Sequence, residues 1–300
     1  MLKGLALTPP IIGRISIGRV VEKNGKRLPE KDDEFTVTSQ VQGKDGWVPH
    51  PVDQELRKTG GGKLRSIPIR LLFDDPDLNL RASYCLFDRA SGRPLCVGNG
   101  ETCRRSTASG VQTLACPAPE GCDLAESGGC KPYGRMNLRL GDDDELGSFI
   151  FRTTGFNSIR TLSTRMRYLQ AISGGLLSTL PLELRLRGKS TTQSHRAPVY
   201  YVDLTLRAGV SLAEAVAAAK ALHEERRAAG IDQDALDQAA REGFACGAFE
   251  DSAEEGAAVV EEFFPGGSES ESAVPMQSGL SGKLEVKVAR LESTARGAAP

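Results

Sequence analysis

The chain has 300 residues, 39% of them hydrophobic and 26% charged, with a formal net charge of −1. It is long enough to bury a sizeable core in one large domain or two modest ones, and its balance excludes a protein whose whole surface is basic. The charge is uneven. Residues 1–130 carry 18 basic and 16 acidic side chains, residues 131–207 carry 12 and 6, and residues 208–300 carry 8 and 17, so a mildly basic middle precedes an acidic end.

The N-terminal run MLKGLALTPPIIGRI is broken by Pro9 and Pro10 and lacks a small-residue cleavage site, so it does not read as a signal peptide. No apolar run reaches the roughly 18 residues that a membrane span needs. The expectation is a cytoplasmic protein. In a reducing compartment its cysteines are metal ligands, buried small hydrophobes or reactive thiols rather than disulfides.

RISIGRVV reads as a strand, EKNGKRLPEKDD as a long polar turn around Asn24-Gly25, and EFTVTSQV as a second strand with Phe35 and Val37 on one side. Residues 42–64, with the Gly60-Gly61-Gly62 triplet, read as a loop. RSIPIRLLF is a strand that Pro68 assigns to an edge or a bulge. Asp74-Asp75-Pro76-Asp77 is a turn, and LRASYCLFD with RPLCVG forms a hairpin. Residues 99–134 show little strand or helix signal. RMNLRL and SFIFRTT are strands around an acidic turn, Asp142 to Glu145.

In FNSIRTLSTRMRYLQAIS, residues Ile159, Leu162, Met166, Leu169 and Ile172 recur at helical spacing, with Asn157 or Ser158 as the cap. Arg160, Arg165 and Arg167 fall on the opposite side. LPLELRLRG alternates, placing Leu182, Leu184 and Leu186 on one face and Glu183, Arg185 and Arg187 on the other. APVYYVDLTLRAG is a further strand. Ser211 caps a helix that Gly230 stops, and Asp232 caps another near 233–245. From Pro265 the Gly/Ser/Glu-rich composition predicts disorder, with KLEVKVARL as a possible short ordered piece.

Six cysteines, Cys85, Cys96, Cys103, Cys116, Cys122 and Cys130, fall within the long irregular stretch and its approach. Loops rich in Pro and Gly around Cys116, Cys122 and Cys130 suit a tetrahedral thiolate site, which requires four ligands. The fourth is Cys96 or Cys103; spacing does not choose between them. Lys131 is placed to soften the charge of such a cluster. A closed four-ligand zinc site would be structural. An iron–sulfur cluster and a metal-free arrangement are the alternatives, because the paired C-x2-C spacing is absent. Cys85 sits in a strand, and Cys246 reads as a buried helical thiol.

Catalytic signatures fail. Gly188-Lys189-Ser190-Thr191 ends like a phosphate loop, but the first glycine of that motif would fall on Glu183. Neither a nucleophile elbow nor an H-E-x-x-H helix accompanies His50, His195 or His223. Asp74, Asp75 and Asp77 read as turn residues first and as a cation site second. Arg135, Arg139, Arg152, Arg160, Arg185 and Arg187 lie among Tyr133, Phe149, Phe151 and Phe156, a mixture that also suits single-stranded nucleic acid.

The run CPAPEGC…GCKPYGRMNLRL…DELGSFIFRTTGFNSIRTL…LPLELRLR…PVYYVDLTLR resembles the recombination-directionality-factor-like family of phages and integrated elements that use large serine integrases. The resemblance spans about Thr8 to Arg207, with 145–187 the most specific piece. It implies a non-enzymatic accessory protein that binds a DNA-bound integrase and favours excision over integration. Many relatives carry only a hydrolase or metal-binding label. A metal-dependent hydrolase of phage or mobile-element DNA metabolism and a single-strand-binding protein therefore stand as alternatives.

The expected architecture is α+β: a mostly antiparallel sheet of short strands with one packed helix at 157–172, in a domain over 1–207. It carries a zinc-clipped cysteine insertion at 96–131. A helical segment at 208–264 and a disordered tail at 265–300 follow. Arg160, Arg167, Arg185 and Arg187 form the expected partner-binding face, for the integrase or its bound DNA. Neither a membrane nor a small-molecule substrate is expected.

Overall fold

A computed structural model describes residues 9–23, 26–43, 46–142, 147–190, 192, 198–244, 256, 259–260 and 263–264, with only the backbone of 19–31, 46, 127 and 128. The fold is α+β, with a mostly antiparallel sheet and several helices. β1 (Ile11–Lys23) and β2 (Lys26–Gly43) form a long antiparallel ribbon, and β3 (Gly46–Pro49) pairs with β2. β1 also runs parallel to β10 (Ser148–Thr153), placing Ile15 beside Phe151. β10 pairs with β9 (Lys131–Leu140), the strand on which the sheet branches.

One edge of β9 is shared end to end by two strands. β4 (Ser66–Leu71) takes its C-terminal part, with Leu71 opposite Leu138, and β5 (Leu80–Phe87) takes its N-terminal part, with Leu80 opposite Met136. The chain between them holds a four-residue helix, α2 (Pro76–Asn79), capped by the Asp75 side chain. From β5 the sheet continues through β6 (Pro94–Gly98), β7 (Thr102–Thr107) and β8 (Gly110–Ala115). From β4 it continues through β11 (Leu182–Lys189) and β12 (Val199–Leu206).

The period-two rule assigns the faces. Phe149 and Phe151, Met136 and Leu138, Ile69 and Leu71, and Leu182 and Leu184 share one core with Phe35 and Val37. Helix α4 (Phe156–Ser173) closes that core with Leu162, Met166 and Leu169. Its helical periodicity is the predicted one. Its cap is not: Gly155 is the N-cap without a side-chain bond, and Ser158 turns inward to accept the Val202 amide at 3.0 Å. A buried strand amide needs an acceptor more than an exposed helix end does.

Several expectations change. The polar stretch after Val21 is a strand ribbon that pairs out to Lys23 opposite Lys26; Asn24 and Gly25 lie outside the described residues. Gly18, with φ of +81°, stands at the register shift that lets the ribbon bend. Residues 42–64 are not a loop. They contain β3 and helix α1 (Pro51–Thr59), which starts with His50 Nδ1 accepting the Val52 amide and Pro51 in the first turn. Pro68 is not in an edge strand, since β4 pairs on both sides; β9 pairing ends at Ile69, so Pro68 is just past that ladder. Residues 99–134 hold β7, β8 and helix α3 (Asp123–Gly128).

Helices α5 (Leu212–Ala228) and α6 (Gln233–Gly243) start at the predicted caps, Ser211 with a full capping box and Asp232. α5 sends Ala215 and Ala219 into the main core, and Ala240 of α6 packs with Leu72, Phe73 and Leu78. On the other side of β5 and β9, Val259 and Phe263 pack on Cys85, Phe87 and Tyr133. Cys246 and the tail from Pro265 onward lie outside the described residues.

Candidate functional site

The cysteine-rich stretch folds around one small cavity of about 20 Å3. Cys96 reaches it from β6, Cys116 from the residue after β8, Cys122 from the cap of α3, and Cys130 from the residue before β9. Sheet pairing places them there. β6 lies between β5 and β7, and β8 folds back on β7, so the chain returns over β6 before joining β9. Among the described residues no three His, Cys, Asp or Glu side chains are already arranged to hold a metal ion. The thiols nevertheless sense one another. Burial pushes Cys130 up to about 11, and Cys96, Cys122, Cys116 and Cys103 act in the same direction.

Cys103 is placed differently. It is buried beside the cavity without lining it, donates to the Ala115 carbonyl at 3.7 Å, and is pushed up to about 11 by burial and by a hydrogen bond with Cys96. Cys85 faces the opposite cluster with Phe87 and Tyr133, so it is core. The cation beside the thiols is Arg105, not Lys131. Arg105 sits across from Cys96 in the β6–β7 register and donates to Cys122 Sγ at 3.9 Å. Its hydrogen bond to Cys96 raises it above the usual guanidinium value. Lys131 points the other way, donating to the Phe263 carbonyl and lying over the Phe263 ring. An arginine paired across strands with a cysteine is a legible signal only once β6 and β7 are known to be neighbours.

The predicted partner-facing arginines lie on and around α4 and β11, but three of the four are engaged. Arg167 pairs with Asp77 at 2.8 Å, Arg185 with Glu183 at 2.8 Å, and Arg187 with Asp203 at 3.3 Å. Arg165 shares Asp203 at 3.2 Å. Glu183, expected outward, is buried and also accepts from Thr205 and the Ala208 amide. Arg160 is exposed on α4. Phe156, Arg160, Thr164 and Tyr168 follow one another at four-residue spacing, and Phe156 and Tyr168 are 55% and 58% exposed. Residues at that spacing share a helix face. This aromatic stripe was missed because the core periodicity of the same helix dominates the pattern. Arg135, Arg139 and Arg152 are buried, so they do not form an open strip for single-stranded nucleic acid.

A cleft of about 450 Å3 runs beside α2, α4, α5 and α6, bordered by Asp74, Asp75, Asp77, His223 and Asp237. Protein donors engage four of these carboxylates. Asp74 accepts the Ser178 amide, Asp75 caps α2 and pairs with Arg241, and Asp77 pairs with Arg167. Asp237 accepts the amides of Asp74 and Asp75 and the Gln233 side chain; burial raises its pKa. This geometry staples α6 to the β4–α2 turn. His50 caps α1, and His195 lies outside the described residues. No helix among the described residues is long and apolar enough to cross a membrane.

Compared with known families, residues 12–207 match the family model described as Gp3-like, recombination directionality factor-like. That is about two thirds of the chain, from β1 through β12. No curated protein and no solved structure matches the chain.

Proposed function

Because the chain belongs to the recombination directionality factor-like family, we propose that it is an accessory protein of phage or mobile-element site-specific recombination. It binds a large serine integrase on DNA and favours excision over integration. The observation that carries this reading is the family match across the whole sheet domain. The physical content is a population shift. A partner that binds one synaptic arrangement better than another stabilises it by the difference, and moving an equilibrium from 1:99 to 99:1 takes about 5.5 kcal/mol of differential binding. A protein–protein interface of ordinary size, with a few buried anchors, supplies energy on that scale.

The outward stripe of α4 is the docking surface in this reading. It presents Phe156 and Tyr168 with Arg160 between them, and Arg167 beside them. Aromatic residues and arginine are enriched at interface centres. Arg185 and Arg187 flank it as members of ion pairs, Arg185 with Glu183 and Arg187 with the Asp203 that it shares with Arg165. Arg187→Glu would set a second carboxylate against the buried Asp203 and disturb the fold. The cleaner probe is Arg160→Glu with Tyr168→Ala, both on exposed positions. The double variant should fold like the parent yet fail to co-purify with a large serine integrase of the same phage or mobile element, and parental binding should weaken with salt. Binding and excision at the parental level would assign the docking site to another face.

A further inference from the structure

We propose that Cys96, Cys116, Cys122 and Cys130 bind one zinc ion as a closed tetrathiolate site, with Cys103 outside the ligand set and Arg105 as its charge-balancing neighbour. Four thiolates around one ion match the tetrahedral preference of zinc, and a site with all four positions filled by protein is structural. The four cysteines come from four separate stretches, yet all four line the same cavity. Its volume, about 20 Å3, is close to that of one water-sized sphere and suits a single ion. Zinc binding would draw the sulfurs inward and release the thiol protons to solvent.

Three neighbouring features fit this assignment. Gly98 lines the cavity, and a Cβ there would come within 2.7 Å of Cys116 Sγ, so only glycine lets that sulfur approach. Arg105 brings its guanidinium to Cys96 and Cys122, and its Nε is buried without a hydrogen-bond partner. A zinc tetrathiolate carries two net negative charges, so it would offer that N–H an acceptor and a counter-charge. Ala118, between Cys116 and Cys122, has φ of +60° and ψ of 171°, a region that residues other than glycine enter only when their surroundings hold them there. The apolar part of this cluster is small, with Leu86 and Leu124 beside the cysteines. A metal cross-link would supply the cohesion that so few apolar side chains do not.

The choice of Cys96 over Cys103 rests on position. Cys96 lines the cavity, whereas Cys103, on the same sheet face opposite Gly98, does not line it and donates to the Ala115 carbonyl. The test uses the full chain purified without a metal-chelating tag, and its readout does not depend on recombination. Elemental analysis should find about one zinc per chain and no stoichiometric iron. Exchange with cobalt(II) should give the absorption of a tetrahedral tetrathiolate site. Cys103→Ser should keep the full metal content and the same cobalt spectrum. Cys96→Ser should lose metal or shift the spectrum to three-sulfur ligation, and Gly98→Ala should lower metal retention. Wild-type protein that is folded and metal-free in zinc-supplemented medium would overturn the proposal. So would stoichiometric iron, or a Cys103→Ser protein that loses a sulfur ligand while Cys96→Ser does not.

Discussion

Replacing Asn79 by alanine should be among the most damaging single changes outside the apolar core. β4 and β5 share one edge of β9, and the chain must leave that edge at Leu71 and rejoin it at Leu80. The backbone groups of Leu72 and Phe73 therefore fall in a gap between ladders. Asn79 fills it. Its Oδ1 accepts from the amides of Leu72 and Phe73, both at 3.1 Å, and its Nδ2 donates to the carbonyls of Phe73 at 2.7 Å and Asp75 at 3.0 Å. The side chain is fully buried. Alanine would leave two amides and one carbonyl unsatisfied in the interior, while the Asp75 carbonyl keeps the backbone amides of residues 78 and 79. Each unsatisfied buried group costs about 1–3 kcal/mol, so a loss of roughly 3–5 kcal/mol is expected after local relaxation. Asn79→Asp would keep the accepting oxygen but turn a second oxygen toward two carbonyls, and it should also destabilise. Urea unfolding followed by circular dichroism measures the loss as a drop in midpoint at constant slope. A loss below about 1 kcal/mol for Asn79→Ala would refute the reasoning, because it would mean that the gap closes without this side chain.

Ser158→Ala removes the acceptor of the Val202 amide and should cost about 1–3 kcal/mol in the same assay; an unchanged midpoint would show that the amide finds another partner. Asp142 is held well below the usual carboxylate range by Arg207 and then Arg70. With its folded pKa depressed, its stabilisation is fully present above the unfolded value near 4 and fades as the pH falls through the folded value. Asp142→Asn should therefore be less stable than the parent near neutrality, by at most about 1 kcal/mol because the carboxylate is half-exposed. The two proteins should converge in acid, and a gap that widens there would contradict the assignment.

The strands and helices that cover the core were legible because burial on one face forces a period. β11 and β12 alternate, and α4 repeats Ile159, Leu162, Met166 and Leu169 at helical spacing. β8 was not legible, since every one of its residues is exposed and no face imposes a pattern. The end of β1 beyond Val21 and the start of β2 before Glu34 were hidden by their polar sequence. α1 was hidden by the glycines after it, although Pro51 after a capping His50 was a usable signal. At the thiol pocket, composition located the cysteines but not their partner. Arg105 joins them only through the register that sets it opposite Cys96. On the partner side, the arginines were readable as charges. Their ion pairs with Glu183 and Asp203 were not, because alternation assigned Glu183 to solvent and gave Asp203 no facing, while both are buried.

The central claim is directional control of an integrase. The measurement that tests it most directly is recombination by a large serine integrase of the same phage or mobile element, scored on paired reporters for integration and for excision, with and without the purified protein. The integrase alone should join only the integration sites. Adding the protein should switch on excision and suppress integration, and Arg160→Glu with Tyr168→Ala should abolish the switch. If the protein leaves both reactions unchanged while folded and present in excess, it is not a directionality factor for that integrase, and the claim fails.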